Sequence, residues 1–113
     1  MKTVDIQGTT YRIEYVKSAD DENIGNGADA YCDWTTKRLV LQDPEDAGGN
    51  LGSMDAYWRK VLRHEILHAF LYESGLAESS NSCDEWAKNE EMIDWFAHLG
   101  PKIYVAWEQA DAL

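Results

Sequence analysis

Two histidines and a glutamate in the middle of this 113-residue chain have the spacing of a metal site. The histidines of the segment His64-Glu65-Ile66-Leu67-His68 lie four residues apart, so in an α-helix both imidazoles face the same way and can bind one ion. Zinc accepts imidazole nitrogen, and a catalytic zinc ion has three protein ligands and one water molecule. Glu65 can take a proton from that water as a general base. The segment therefore predicts a zinc site.

An HExxH segment can also occur by chance. In that case the two histidines and the glutamate would simply lie on a solvated face of a helix. The flanking sequence argues against that interpretation. Val61 and Leu62 precede the segment, and Ala69-Phe70-Leu71 follows it, so the apolar period of a buried helix continues through both sides. We expect the segment to lie in the middle of a helix.

A third ligand is needed, and the sequence excludes one source of it. A third histidine at the spacing HExxHxxGxxH would require glycine at 71 and histidine at 74, where the chain has Leu71 and Ser74. A carboxylate from a later helix is the other common solution. Glu90 and Glu91 are the candidates in the next predicted helix.

Helical neighbours distinguish the two glutamates. Residues three and four positions from Glu90 are mostly apolar (Trp86, Ala87 and Ile93, with Asp94), which predicts that Glu90 faces the core. A buried carboxylate is costly unless a cation pairs with it. Glu91 has more polar neighbours and is expected to be more exposed. We therefore predict Glu90 as the third ligand.

Two further side chains on that helix can serve the site. Asp94, one turn after Glu90, can accept a hydrogen bond from the outer ring nitrogen of a metal-bound histidine, which orients the ring and raises its basicity. The alternative is a solvated charge. His98 lies another turn along and is interpreted mainly as a cation near the helix C-terminus.

The segments HEILH at 64–68 and NEEMID at 89–94 together resemble the gluzincin metallopeptidases, the thermolysin-like group, whose signature is HExxH followed by NExxxD. The short chain and the segment Asp94-Trp95-Phe96-Ala97 look most like the small ImmA/IrrE-type peptidases of phages and mobile elements. The resemblance implies a zincin-like fold, with His64, His68 and Glu90 as zinc ligands, Glu65 as general base and Asp94 behind a histidine. Larger gluzincins also carry a histidine or tyrosine that stabilises the tetrahedral intermediate. Here Tyr72, Tyr104 and His98 remain open as candidates for that role.

The elements around the motif predict an α+β domain spanning 1–113. Alternating apolar residues predict an antiparallel hairpin over residues 4–15, turning near Gly8-Thr9, and a second pair of strands over 30–41, turning near Thr36-Lys37. Residues 19–29 and 43–52 read as loops. An extended substrate could add to an exposed edge around Leu39-Val40-Leu41.

The second half of the sequence predicts three helices. Ser53 can cap the first, which carries the HEILH segment and ends near Ser74-Gly75. Ser82-Cys83-Asp84-Glu85 has the form of a capping box for the second helix, which ends at Gly100. Pro101 suits the first turn of a short third helix.

Composition restricts the functions open to the chain. Ten lysines and arginines against 21 aspartates and glutamates give a formal net charge of −11, which disfavours binding to nucleic acid and suits a basic partner. No apolar run reaches the length of a membrane span, and the N-terminus lacks a signal-peptide stretch, so we expect no membrane association and a cytoplasmic location. Two cysteines far apart in sequence cannot form a zinc knuckle.

Three functions follow as hypotheses. The first is a zinc metallopeptidase that hydrolyses a protein or peptide. The sequence does not indicate its substrate or its cleavage specificity. The second is a catalytically inactive, zinc-containing or acidic binding protein of phage origin that acts on a basic DNA-binding regulator. The third is a helical adaptor without metal.

Overall fold

The structure, a computed structural model, describes residues 2–79 and 86–109. Strands come first and long helices follow, which confirms the α+β class. Within the described residues, no helix combines the length and the apolar character needed to cross a membrane. The elements are β1 (Lys2–Ile6), β2 (Thr9–Val16), α1 (Glu22–Gly25), β3 (Ala30–Asp33), β4 (Arg38–Gln42), α2 (Pro44–Ala47), α3 (Met54–Glu73), α4 (Leu76–Ser79) and α5 (Glu90–Gln109), with 3₁₀ turns at Ser18–Asp20 and Trp86–Lys88.

The four strands form one mixed sheet in the order β1-β2-β4-β3. Both predicted hairpins are present and antiparallel. The first turns at Gln7 and Gly8, whose φ angles of 53° and 90° suit a tight two-residue turn. The expectation of antiparallel strands throughout is wrong at one place, because β2 and β4 pair in parallel. As a consequence β4 is an interior strand, and the two edge strands are β1 and β3.

The parallel pair exists because β3, which is antiparallel to β4, runs back along the sheet between β2 and β4 in the chain. Helix α1 lies in the connection from β2 to β3, in a stretch that we expected to be loop. Asp21 caps α1 by accepting a hydrogen bond from the amide of Ile24, whose side chain is buried. The second expected loop also contains a short helix, α2, capped by Asp43. Aspartate and proline break other structures, but they also begin helices.

Helix α3 packs on one face of the sheet and forms the main core with it. Its beginning and end are as predicted: the Ser53 side chain accepts a hydrogen bond from the amide of Ala56 at 3.2 Å, and Gly75 follows the helix with a φ of 83°. The HEILH segment therefore lies in the middle of a helix fixed along its length. The core joins Ile6, Tyr11, Ile13, Leu39 and Leu41 of the sheet to Trp58, Val61 and Ala69 of α3.

Helix α5 packs against α3 and differs from the prediction at both ends. It begins at Glu90, after a 3₁₀ turn, and the predicted capping box at Ser82–Glu85 lies outside the described residues. At the other end the predicted break at Gly100 is wrong, because α5 continues through Pro101 to Gln109. The predicted third helix is the last part of α5.

An arginine explains why the helix continues through Pro101. Proline has no amide hydrogen, so the carbonyl of Ala97, four residues earlier, loses its partner within the helix. The Arg63 Nε of α3 donates a hydrogen bond to that oxygen. Because Ala97 is buried, an unpaired carbonyl there would be costly. Arg63 therefore supplies from α3 the hydrogen bond that proline removes.

Candidate metal centre

Three side chains converge between α3 and α5: His64, His68 and Glu90. Among the described residues, they form the group of potential metal ligands whose donor atoms all lie within 4.8 Å of one another. The Nε2 atom of His64 lies 2.9 Å from Glu90 Oε2, and that of His68 lies 3.1 Å from Glu90 Oε1. Ligand atoms about 2.0–2.2 Å from a tetrahedral zinc ion stand just over 3 Å apart. The structure thus brings together the three residues predicted as ligands.

Local structure determines how each ligand is placed. The two histidines lie one turn apart on α3 with ring centroids 5.0 Å apart, as the spacing predicts. Asn89 caps α5 by accepting a hydrogen bond from the amide of Met92 at 2.8 Å. Glu90 is therefore the first residue of α5, where a negative side chain is favoured by the helix dipole.

The prediction that Glu90 faces the core is wrong, although the residue lies at the site. Its side chain is 68% exposed, not directed into the core. The helical neighbours Trp86 and Ala87 belong to the preceding 3₁₀ turn, so they do not share a face of α5 with Glu90. Glu91 is exposed as well. Position at the start of α5, and not burial, places Glu90 beside the histidines.

Asp94 lies behind His64, as predicted. Its Oδ1 atom is 3.3 Å from His64 Nδ1, and the same oxygen lies 2.5 Å from the ammonium of Lys60. The ion pair with Lys60, followed by the contact with His64, holds the pKa of Asp94 below its usual value. A carboxylate at this position favours the tautomer with the proton on Nδ1, which leaves the lone pair on Nε2 free for a metal.

Glu65 is the buried member of the site. It is 6% exposed, and of the charged residues within 2–79 and 86–109 it alone is buried. Burial raises the pKa of its carboxyl to about 7, the charge of Glu90 adds to this, and His64 opposes it. No side-chain hydrogen bond or ion pair joins the carboxyl to another residue of the described chain. Its oxygens reach the cleft, because the fully buried side-chain atom without a partner in the described residues is Trp58 Nε1. A largely buried carboxyl of this kind is favoured by a nearby cation.

The chemistry of these residues fits a bound metal ion. The donors are two imidazole nitrogens and one carboxylate, a set found in catalytic zinc sites. Burial also lowers the pKa of His68, which favours the neutral imidazole that binds metals. The unpaired carboxyl of Glu65 lines the same cleft as the ligands. The residues present can therefore hold a metal ion, and that ion would bring a positive charge next to the Glu65 carboxyl.

Two clefts meet at Glu65, between α3 and the edge strand β3. One, of about 230 Å³, is lined by Lys60, Tyr57, Asp29 and Asp94. The other, of about 280 Å³, is lined by Cys32, Tyr72 and the three candidate ligands. Ala30, His64 and Glu65 belong to both. The expected substrate edge at Leu39-Val40-Leu41 is wrong, because β4 is paired on both sides; β3 lies along the clefts instead.

The structure separates the three candidates for stabilising a reacting oxygen. Tyr72 follows His68 by one turn and lines the cleft with the ligands, and its ring stacks on Trp34 with centroids 5.3 Å apart. Tyr104 is 52% exposed on α5, and His98 is exposed too. Neither of these lines the two clefts. Only Tyr72 is brought to the site.

Sequence reasoning missed two features of the site: the lysine behind Asp94 and the edge strand. Lys60 could have been found from its spacing, because it precedes His64 by four residues and so shares its helix face. The edge position of β3 carries no local signal, since it follows from the parallel pairing of strands distant in sequence.

Comparison of the chain with models of protein families, with curated proteins and with solved structures gives no significant match. The case for a metal centre therefore rests on the positions of His64, His68, Glu90 and Glu65 in this chain.

Proposed function

We propose that the protein is a zinc-dependent metallopeptidase that hydrolyses a peptide bond in a protein or peptide. One observation carries the proposal. The buried carboxyl of Glu65, which has no partner in the described chain, lines the same cleft as the His64, His68 and Glu90 donors. A metal ligand set with a proton acceptor next to it is the arrangement that hydrolysis requires.

Each residue has a defined task in this mechanism. His64, His68 and Glu90 would hold the ion, and Asp94 keeps the His64 proton on Nδ1. Zinc, when bound, supplies the Lewis acidity that polarises a carbonyl oxygen and makes water a better nucleophile. Glu65 accepts the proton of the attacking water and delivers it to the leaving amine.

The surroundings of the ligands support a peptide as the substrate. The edge strand β3 lies beside both clefts, and an edge strand offers unpaired backbone groups to an extended chain. A peptide added along β3 would bring its carbonyl groups past Glu65. Tyr72 is the candidate to donate a hydrogen bond to the carbonyl oxygen as it gains negative charge.

The test compares Glu65→Gln with wild type, and Glu91→Gln serves as a control that removes a charge from an exposed glutamate. Zinc content is measured after purification without chelators, and cleavage of a mixed peptide library is followed by mass spectrometry. We expect about one zinc per chain in all three proteins and cleavage only by wild type and Glu91→Gln. Wild type without zinc, or a Glu65→Gln variant as active as wild type, would refute the proposal.

The net charge of −11 favours a second candidate, a non-catalytic protein that binds a basic DNA-binding regulator. Such a field attracts cationic partners and speeds their association. Under this alternative, Glu65→Gln keeps the full biological effect, and the interaction weakens steeply as salt is raised. A peptidase loses its effect with Glu65, so the two candidates predict opposite results for one variant.

A further inference from the structure

Lys60 is tied to the metal centre through Asp94. It lies on α3 one turn before His64, and its ammonium is 2.5 Å from Asp94 Oδ1. The same oxygen lies 3.3 Å from His64 Nδ1. Two side chains of α3 therefore meet on one carboxylate that is supplied by α5.

We propose that Lys60 is a positioning residue for the metal centre. It holds the Asp94 carboxylate against His64, so that the imidazole carries its proton on Nδ1 and presents Nε2 to the metal. This inference rests on the zinc site of the proposed function, and it adds a residue that the motifs of the sequence do not include.

Exposure explains why Asp94 needs such a partner. The Asp94 side chain is 46% exposed. Without Lys60, water would replace its contact with His64 and the side chain would sample several rotamers. Lys60 is less exposed, at 27%, and approaches from the helix that carries His64. Pairing with Lys60 therefore fixes the carboxylate relative to the imidazole, although the two lie on different helices.

The stability of the fold is not the main role of this pair. A partly exposed ion pair contributes little to the stability of a fold, whereas loss of a group that orients a metal ligand weakens metal binding by about 10–100-fold. In an isolated histidine the proton favours Nε2, which is the atom that faces Glu90 here. The larger consequence of losing Lys60 is therefore a change in the His64 tautomer.

The opposing interpretation treats Lys60 as a cation only. A positive charge beside the site repels a metal ion, so its removal would strengthen zinc binding. Positioning through Asp94 predicts that removal weakens zinc binding. Because the two interpretations predict opposite signs, one affinity measurement distinguishes them.

The experiment uses Lys60→Met, Lys60→Arg and the control Arg59→Met. Arg59 is the neighbouring cation on α3 and pairs with Asp55, so its loss removes the same charge without touching Asp94. Zinc dissociation constants are measured by competition with a chromophoric chelator. The His64 tautomer is read from ¹⁵N chemical shifts of the metal-free protein in a Glu90→Ala background, because the Glu90 carboxylate, 2.9 Å from His64 Nε2, would itself hold a proton on that atom.

We expect Lys60→Met to weaken zinc binding about three- to tenfold, less than complete loss of an orienting group, and to move the His64 proton toward Nε2. Lys60→Arg should restore both properties, and Arg59→Met should change neither. In an Asp94→Asn background, Lys60→Met should have no further effect, because its influence passes through Asp94.

Unchanged or tighter zinc binding by Lys60→Met would overturn the inference, as would an equal effect in the Asp94→Asn background. The tautomer measurement needs no metal, so it tests Lys60 even if wild type fails to bind zinc and the proposed function is wrong. Conversely, if wild type binds zinc and Lys60→Met binds it with the same affinity, the metal site is supported and the role of Lys60 is refuted.

Discussion

Zinc should stabilise the protein through Glu90 and not through its neighbour Glu91. The comparison is sharp because both are exposed glutamates at the start of α5, so neither substitution removes core packing. Only Glu90 lies within reach of the two histidine nitrogens, at 2.9 and 3.1 Å. Glu90→Ala removes one of the three proposed ligands, and Glu91→Ala removes an equal charge beside the site.

The size of the effect follows from linkage. Zinc at about a hundred times the wild-type Kd adds about 2.7 kcal/mol to the free energy of unfolding. Loss of an orienting group weakens metal binding by up to about 100-fold, and loss of a ligand should weaken it at least as much. With 100-fold weaker binding, the same zinc concentration adds only about 0.4 kcal/mol to the free energy of unfolding of Glu90→Ala. A difference of roughly 2.3 kcal/mol corresponds to about 9 °C in Tm for a chain of this length.

The assay is thermal unfolding, followed by tryptophan fluorescence or calorimetry, of wild type and both variants with and without zinc. Wild type and Glu91→Ala should gain Tm equally, and Glu90→Ala should gain about 1–2 °C. All three should unfold at similar temperatures without metal. A zinc-induced rise in Tm for Glu90→Ala equal to that of wild type would refute the assignment of the third ligand. So would a rise for Glu91→Ala as small as that for Glu90→Ala.

Three further predictions concern contacts that hold α3 in place. Tyr11→Phe removes a part-buried hydrogen bond that the Tyr11 hydroxyl donates to Glu73 (2.9 Å) and should cost about 2 kcal/mol in urea unfolding; an equal cost in a Glu73→Ala background, which has no acceptor, would contradict this. Lys37 first and Tyr11 second lower the pKa of Glu73, so this carboxylate contributes stability above its unfolded pKa and the contribution is lost as pH falls through the folded one. Acid titration of stability should therefore lose that component in Glu73→Gln. Arg63→Met should cost about 1–3 kcal/mol by leaving the Ala97 carbonyl unpaired, and clearly less in a Pro101→Ala background, where an amide can restore the helical bond.

The features that were predictable from sequence are those set by local spacing. The Ser53 cap, the Gly75 end and the four-residue interval between the histidines depend on chemistry within one helix. The two hairpins depend on alternation and turn residues between neighbouring strands. Each of these has a signal within a few residues of itself, and each is present in the structure.

The features that were missed depend on contacts between distant segments. The continuation of α5 through Pro101 depends on Arg63, a residue of another helix. The edge position of β3 depends on the parallel pairing of β2 with β4. The exposure of Glu90 depends on where α5 begins. A helix starting at residue 82 would put apolar residues before Glu90 on the same face, but α5 starts at Glu90 itself. Local rules do not contain these long-range partners.

The open edge of β3 has a consequence for how copies of the protein behave toward one another. An unpaired strand edge can pair with any extended chain, including the same strand of another copy, and so favours self-association. A net charge of −11 makes copies repel one another at separations up to about 8 Å in physiological salt. The same field attracts basic chains. The acidity of this protein would thus let its edge stay exposed at high concentration while remaining accessible to a chain of opposite charge.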